Sequence, residues 1–219
     1  MTPRTALLVG ATGLVGQHCL RRLLDDPLYR QVVVLARRQL DLQHPRLAVQ
    51  TVDFEVVEEV ELPAIDDVYC CLGTTIRAAG SRAAFYRVDH DYPVAVGRRA
   101  RTAGARRYAL VSSIGADPRA SNYYLRMKGE TERDVAGLGY ECVELLRPSL
   151  LLGQREQRRM REQAAMVVAR ATAPLLAGRL RAYRPIQADA VAAAMVAALR
   201  QGEPGTRRRT FDAITRLAG

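Results

Sequence analysis

The feature that most constrains this sequence is a glycine-spaced turn near its start. A short apolar run, Ala6 to Val9, leads into three glycines spaced G-x-x-G-x-x-G, and an amphipathic segment follows at once. Glycine permits a positive φ at such a turn and leaves no Cβ in the path of a phosphate. The N-terminus of the next helix adds free N–H groups and the positive end of its dipole. The pattern predicts a strand, a turn and a helix that bind a dinucleotide pyrophosphate, although an ordinary strand–helix turn is the alternative. The residues expected to contact the cofactor here are Gly10, Thr12, Gly13, Leu14, Val15 and Gly16.

Strand and helix patterns alternate along the following residues. The predicted strands after the first are Gln31 to Ala36, Leu47 to Phe54, Asp67 to Leu72, Arg107 to Ser113 and Glu141 to Leu146. The predicted helices are Leu14 to Leu24, Ser81 to Ala103 and Ser121 to Leu138. Apolar strands that alternate with helices are typical of a parallel sheet covered on both faces. The sequence therefore predicts an α/β fold with a doubly wound parallel sheet, the Rossmann fold.

The length of 219 residues indicates a single domain. We expect residues 1–148 to form a cofactor-binding core and residues 149–219 to form a small substrate-side cap, partly packed on the sheet. Within that C-terminal region the predicted elements are a basic helix from Arg155 to Ala171, an irregular stretch from Pro174 to Tyr183, a helix from Ala188 to Leu199 and a strand from Arg209 to Ala213.

The net charge of +10 raises the question of a nucleic-acid partner. The arginines are dispersed in pairs and triplets without interleaved aromatic residues, and no zinc-finger or helix-turn-helix pattern accompanies them, so nucleic acid is not expected. No run of about eighteen apolar residues and no signal-peptide pattern is found, so we expect no membrane partner and a cytoplasmic location. The four cysteines lack C-x-x-C spacing, and no metal site is expected.

Two arginines follow the second predicted strand, where a dinucleotide fold meets the adenosine ribose. Arg37 lies 21 residues after Gly16, and Arg38 is next to it. An acidic residue there would favour NAD, whereas a guanidinium group matches a 2′-phosphate, so this pair favours NADP(H) over NAD(H). A surface arginine in an arginine-rich chain is the alternative. Asp53, at the end of the third strand, is expected to contact adenine or to cap the segment that follows.

A Y-x-x-x-K pattern, Tyr124 to Lys128, lies on a predicted helix. Residues four apart share one helical face, so the phenol and the ammonium can flank one bound molecule. A phenol is a useful acid or base near neutral pH only when a cation stabilises its phenolate form. Lys128 is the only lysine of a chain whose other basic side chains are arginines, which makes a random surface charge less plausible. Tyr123 is an alternative phenol with the wrong spacing.

Two serines, Ser112 and Ser113, end the fifth predicted strand. Ser113 lies eleven residues before Tyr124. Ligands bind beyond the carboxyl ends of strands in such sheets, so a serine hydroxyl there can orient a substrate carbonyl. The sequence leaves open which of the two serines does so, and a local turn is the alternative role for the pair.

As a set, these motifs resemble the atypical branch of the short-chain dehydrogenase/reductases. CCLGTT (70–75), NYYLRMKGE (122–130) and RPSLLLGQRE (147–156), with the segment 88–117, resemble the small NADP-binding proteins related to the Tat-interacting oxidoreductase-like protein and their bacterial counterparts labelled nucleoside-diphosphate-sugar epimerase-like. The resemblance covers nearly the whole chain. It implies a Rossmann fold, bound NADP(H) and a Ser113–Tyr124–Lys128 triad in which Lys128 also holds the nicotinamide ribose.

Further contacts are expected on this basis. The resemblance implies that Pro148, Ser149 and Leu150 pass close to the nicotinamide, and we expect the segment after the fourth strand to line the cofactor through Cys71, Leu72, Gly73 and Thr74. Superfamily members usually pair through the helix from Ser81 and the helix that carries Tyr124, so a homodimer could form there.

These observations predict an NADP(H)-dependent oxidoreductase that acts on a small carbonyl or alcohol, with Tyr124 as acid–base. The alternatives are an epimerase or dehydratase with a tightly bound cofactor and a non-catalytic sensor of NADP(H). The sequence does not identify the substrate.

Overall fold

The computed structural model describes residues 3–153 and 178–219. The strands are β1 (Arg4–Val9), β2 (Tyr29–Ala36), β3 (Leu47–Thr51), β4 (Asp67–Cys70), β5 (Arg107–Val111), β6 (Cys142–Leu146), β7 (Leu151–Leu152), β8 (Ile186–Gln187) and β9 (Gly205–Arg209). The α-helices are α1 (Gly16–Asp25), α2 (Ile76–Ala79), α3 (Arg82–Tyr86), α4 (Tyr92–Thr102), α5 (Tyr123–Ala136), α6 (Ala188–Gln201) and α7 (Phe211–Ala218). Two 3-10 helices span Phe54–Glu59 and Gly178–Tyr183, and a π-helical turn spans Arg87–Asp91.

Seven strands form one parallel sheet in the order β3-β2-β1-β4-β5-β6-β9, which confirms the predicted doubly wound α/β fold. The order reverses between β1 and β4, so the carboxyl ends of these two strands border the crevice in which such sheets bind ligands. The short strands β7 and β8 pair with each other in a separate two-stranded sheet.

Both faces of the sheet are covered, because successive strand residues point to opposite sides. Leu8 of β1 packs in one apolar cluster with residues of α1 and α6. Leu7, its neighbour, packs in a second cluster with residues of α4 and α5. The continuous apolar runs of the sequence therefore reflect strands that are buried on both faces.

The first turn brings the start of α1 against the ends of β1 and β4. Gly10 has φ +80°, and a Cβ there would overlap the carbonyl of Cys71. A Cβ at Gly16 would overlap the carbonyl oxygen of Gly10. These two glycines are therefore required by the close approach of the backbone segments.

Two predicted strands differ from the structure by three residues or more at one end or both, whereas the others agree within two residues. The third strand ends at Thr51 rather than Phe54, because Asp53 caps the 3-10 helix that follows. The predicted strand from Arg209 to Ala213 is wrong: β9 spans Gly205–Arg209, and Phe211 already begins α7. Three consecutive arginines are not typical of a sheet strand. They are accommodated in β9 because it lies at the edge of the sheet, where Arg209 pairs with the buried Glu144 at 2.8 Å.

The predicted long helix from Ser81 is one helical run that contains the π-helical turn between α3 and α4. Ser81 caps it, since its hydroxyl oxygen accepts a hydrogen bond from the Ala84 amide at 3.1 Å. The predicted helix over 155–171 lies outside the described residues, as does the start of the stretch from Pro174 to Tyr183, whose last six residues form a 3-10 helix.

Part of the region 149–219 lies within the sheet layers, because β9 extends the sheet and α6 packs against α1. The division at residue 148 and the substrate-side cap stay predictions.

We predict that Gly16→Ala lowers the free energy of unfolding by about 3 kcal/mol, because the added Cβ overlaps a backbone carbonyl that cannot move away from the sheet. Urea unfolding followed by circular dichroism measures the change. Gly137→Ala is the matched control, since Gly137 has an ordinary helical φ of −78° and its Cβ would meet neighbouring atoms at 3.4 Å or more. An equal loss in both variants would contradict the close approach at Gly16.

Candidate active site

The N-terminus of α1 presents unpaired backbone donors beyond the end of β1. The Gly13 amide donates to the Gly10 carbonyl at 2.9 Å, which closes the turn. Val15 occupies the N-cap position without a side-chain cap, and within the described residues the amides of Leu14, Val15 and Gly16 donate no hydrogen bond. An uncapped helix N-terminus with free N–H groups is suited to a phosphate, as the sequence predicts.

The end of β2 carries two free cations. Arg37 and Arg38 follow the strand, are exposed, and have no ion pair or hydrogen bond among the residues that the structure describes. Both guanidinium groups are therefore available to an anionic ligand. Asp53 fills one of its two expected roles, since Oδ1 accepts a hydrogen bond from the Glu55 amide at 3.0 Å as a helix cap. Its contact with adenine stays a prediction.

The segment after β4 runs beside the glycine turn. The Cys71 amide donates to the Val9 carbonyl at 2.9 Å, so Cys71 to Thr74 leave the sheet next to Gly10. The adjacent Cys19 thiol and burial raise the pKa of the Cys71 thiol well above its usual range, and burial raises that of Cys70 to about 12. Both thiols are therefore protonated near neutral pH and are poor nucleophiles.

Tyr124 and Lys128 face the same side of α5, as their spacing predicts. Tyr124 is 37% exposed, stacks on the Phe85 ring at 6.0 Å between centroids, and its hydroxyl makes no hydrogen bond to any described residue. Lys128 is 5% exposed. The alternative phenol, Tyr123, donates to the Arg82 carbonyl at 3.2 Å. Of the two neighbouring phenols, Tyr124 is therefore the one that is free to meet a ligand.

Lys128 has a carboxylate partner that was not predicted from the sequence. Its Nζ lies 2.8 Å from Oδ1 of Asp89, a residue that is 1% exposed in the π-helical turn. Burial alone would lower the pKa of the Lys128 ammonium, but Asp89 and the Tyr124 phenol raise it above its ordinary value. Lys128 is therefore charged at neutral pH.

The two serines after β5 have different surroundings. Ser112 is buried and its hydroxyl donates to Glu132 Oε1 at 2.5 Å. Ser113 is half-buried, and its hydroxyl makes only a long contact of 3.3 Å to the Ile114 carbonyl. The hydroxyl of Ser112 is thus engaged by the protein, whereas that of Ser113 can turn towards a ligand.

Glu132 ties the ends of β5 and β6 to α5. It is 1% exposed and accepts two hydrogen bonds from Arg147, Nε to Oε1 at 2.8 Å and Nη2 to Oε2 at 2.5 Å. The Ile114 amide donates to the Pro148 carbonyl at 2.9 Å, so the segments after the two strands continue side by side. This arrangement places Ser113 next to the segment from Pro148 to Leu150.

A family model described as NAD(P)H-binding matches residues 10–202. The chain belongs to this family. The match begins at the glycine turn and extends through α6, so it includes the described elements of the site. It establishes NAD(P)H binding as the family property without distinguishing NADP from NAD.

Sequence relatives confirm the resemblance noted above. Protein HTATIP2 of Rattus norvegicus is 35% identical over 171 residues, which cover 75% of this chain and 70% of the relative. Protein FMP52, mitochondrial, of Coccidioides immitis is 34% identical over 229 residues, 98% of this chain and 93% of the relative. Protein fmp52, mitochondrial, of Emericella nidulans is 38% identical over 168 residues, 72% and 71% of the two chains.

Solved structures show the same fold at lower identity. MoeE5 in complex with UDP-glucuronic acid and NAD superposes with a TM-score of 0.70 and 18% identity, covering 98% of this chain and 81% of the other. UDP-glucose 4-epimerase of Thermotoga maritima gives a TM-score of 0.68 and 15% identity, with the same coverage of 98% and 81%. These neighbours support the Rossmann fold.

The expected cytoplasmic location is contradicted by the sequence relatives, because those called FMP52 are named as mitochondrial proteins. Among the described residues, no helix has both the length and the apolar character needed to cross a membrane.

Sequence reasoning missed two buried acids of the site, Asp89 and Glu132. Glu132 had a local signal, since it follows Lys128 by one helical turn on the same face. Asp89 had a weaker signal, an acid within an otherwise regular helical pattern four residues before Pro93.

Glu132→Ala should lower the free energy of unfolding by about 3 kcal/mol, because it leaves the Arg147 guanidinium without its buried carboxylate. Thermal or urea denaturation measures the loss. Glu58→Ala is the matched control and should leave stability nearly unchanged, since Glu58 pairs with Arg98 at 3.2 Å on the exposed surface. A stability of Glu132→Ala equal to that of the control would show that Glu132 does not tie these strands together.

Proposed function

We propose that the protein is an NADP(H)-dependent oxidoreductase that transfers hydride to or from a small carbonyl or alcohol, with Tyr124 as the acid–base. The observation that carries this proposal is the Tyr124 hydroxyl, which has no hydrogen-bond partner among the described residues, one helical turn from the buried Lys128 that contacts Asp89. The cofactor, when bound, would supply the hydride as NADPH or accept it as NADP+. The residues of the chain would bind the cofactor, orient the carbonyl and supply the proton.

Cofactor binding is assigned to two anion sites that are separated along the crevice. The free amides at the start of α1 would hold the diphosphate through Leu14, Val15 and Gly16. The guanidinium groups of Arg37 and Arg38, which have no partner in residues 3–153 and 178–219, would hold the 2′-phosphate that distinguishes NADP from NAD. The segments Cys71 to Thr74 and Pro148 to Leu150 would line the space between these sites and Tyr124.

The acid–base step is assigned to α5 and the end of β5. An ammonium has three donors, and the hydrogen atoms of Lys128 that do not face Asp89 can bind the hydroxyls of a ribose. The Tyr124 phenol, one helical turn from this ammonium, would give a proton to a carbonyl and take it back from an alcohol. Ser113, whose hydroxyl has no strong partner, would orient the carbonyl oxygen towards Tyr124.

Arg37→Ala should weaken NADPH binding about 10- to 100-fold and leave NADH binding unchanged, because only NADPH carries the 2′-phosphate. Fluorescence titration of the purified protein with each cofactor measures both affinities. Arg21→Ala is the matched control, an exposed arginine of α1 that should leave both unchanged. Equal loss for the two cofactors, or no loss, would contradict the role of Arg37.

Tyr124→Phe should lower kcat about 100-fold or more, because the variant has no hydroxyl to exchange a proton. It should retain NADPH affinity, since the phenol does not hold the diphosphate or the 2′-phosphate. A panel of small aldehydes and ketones, assayed by NADPH oxidation, provides the substrate.

Tyr123→Phe is the control for this experiment and should keep full activity, because the Tyr123 hydroxyl donates to the Arg82 carbonyl instead of facing a ligand. Full activity in Tyr124→Phe would exclude the acid–base role. Tight NADPH binding without turnover of any carbonyl by the wild-type protein would favour the cofactor-sensor alternative.

A further inference from the structure

The Asp89 carboxylate contacts two parts of the site that are remote in sequence. Its Oδ1 forms the ion pair with the Lys128 ammonium of α5. Its Oδ2 accepts a hydrogen bond from the Thr74 amide at 2.8 Å, in the segment that follows β4. One buried side chain therefore joins the helix of Tyr124 to the segment that borders the cofactor crevice.

The backbone carbonyl of Asp89 also contacts α5. Pro93 has no N–H, so the Asp89 carbonyl four residues earlier receives no helical hydrogen bond from it. The Thr131 hydroxyl of α5 lies 3.0 Å from that carbonyl oxygen and 2.9 Å from the Met127 carbonyl of its own helix, so its one proton can be donated to either. The π-helical turn, in which the Tyr92 amide reaches back five residues to the Arg87 carbonyl, aims Asp89 at α5.

The ion pair with Asp89 affects the protonation of Lys128, the only lysine of the chain. A buried ammonium without a partner tends to lose its proton. Three groups raise the pKa of the Lys128 ammonium and so oppose the effect of burial. They are the Asp89 carboxylate, the Tyr124 phenol and the Cys70 thiol. Asp89 has the largest opposing effect of the three.

We propose that Asp89 is a positioning residue of the site, which fixes the Lys128 ammonium beside Tyr124 and ties it to the Thr74 amide of the cofactor-bordering segment. It acts through Lys128 and through the course of residues 71–74. The inference rests on the proposed function for its effect on turnover, whereas its effect on Lys128 can be measured without any substrate.

The single lysine allows a direct measurement. Protein labelled with 15N at the lysine side chain gives one ammonium signal in NMR, assigned by its loss in Lys128→Arg. The pKa of Lys128 in the wild-type protein should lie above that of a free lysine side chain, and the ammonium protons should exchange slowly with water. A pKa below the free value would overturn the proposal, and this result does not depend on any variant folding.

Asp89→Asn keeps the size of the side chain and an oxygen for the Thr74 amide, but removes the charge. The pKa of Lys128 should fall below its wild-type value, because burial then acts with less opposition. Asp91→Asn is the matched control on the same π-helical turn. It removes a carboxylate that pairs with His90 at 2.8 Å, so it should leave Lys128 unchanged. An unchanged pKa in Asp89→Asn would overturn the proposal.

Kinetics separate the two contacts of the carboxylate. Asp89→Asn should lower kcat about 100-fold through a misplaced or uncharged Lys128, and it should weaken NADPH binding only through the contact of Lys128 with the ribose. Asp89→Ala also loses the acceptor for Thr74, so its NADPH affinity should fall about tenfold below that of Asp89→Asn. Equal NADPH affinities in the two variants would remove Thr74 from the proposal. If no carbonyl is turned over by any form while the pKa of Lys128 shifts as expected, the proposed function fails and the positioning role stands.

Discussion

The close contact between the β1–α1 turn and the end of β4 is the constraint on which the site depends. The backbones of Gly10, Gly16 and Cys71 approach so closely that side chains are excluded at both glycines. This contact brings the N-terminus of α1 to the point where the strand order reverses, next to the carboxyl ends of β1 and β4. The unpaired amides of α1 and the segment 71–74 border one crevice as a result. The remaining site residues reach the same crevice from β5, β6 and α5.

Paired charges within the core hold these later elements. Four carboxylates of the described residues are at most 1% exposed, and each has a cationic partner. Asp67 pairs with Arg4 and Arg107, Glu132 with Arg147, Glu144 with Arg209, and Asp89 with Lys128. Three of these acids therefore meet guanidinium groups, and only the acid beside Tyr124 meets an ammonium. A compact ammonium with three rotatable donors can bind a ligand and a carboxylate together, which fits its place at the site.

Local patterns in the sequence predicted the structural features that depend on residues close together in the chain. The glycine spacing located the β1–α1 turn, the apolar runs located the strands, and the four-residue spacing of Tyr124 and Lys128 placed both side chains on one face of α5. The long-range charge pairs were not predictable in this way, because 39 residues separate Asp89 from Lys128 and 65 separate Glu144 from Arg209. The dispersed arginines show no partners in the sequence, yet several of them neutralise buried acids in the structure. The error at β9 has the same origin, since Arg209 of this arginine-rich strand pairs with Glu144 of β6, a partner that is distant in sequence.

The position of β9 also affects how the sheet meets other molecules. It is the last strand in the sheet order, so one row of its backbone groups has no partner strand among the described residues. Such an edge can template the addition of a further strand and start aggregation. Arg207, Arg208 and Arg209 occupy this edge in succession. Charged side chains on an edge strand disfavour pairing with a further strand, so these arginines would oppose the addition of another strand along β9.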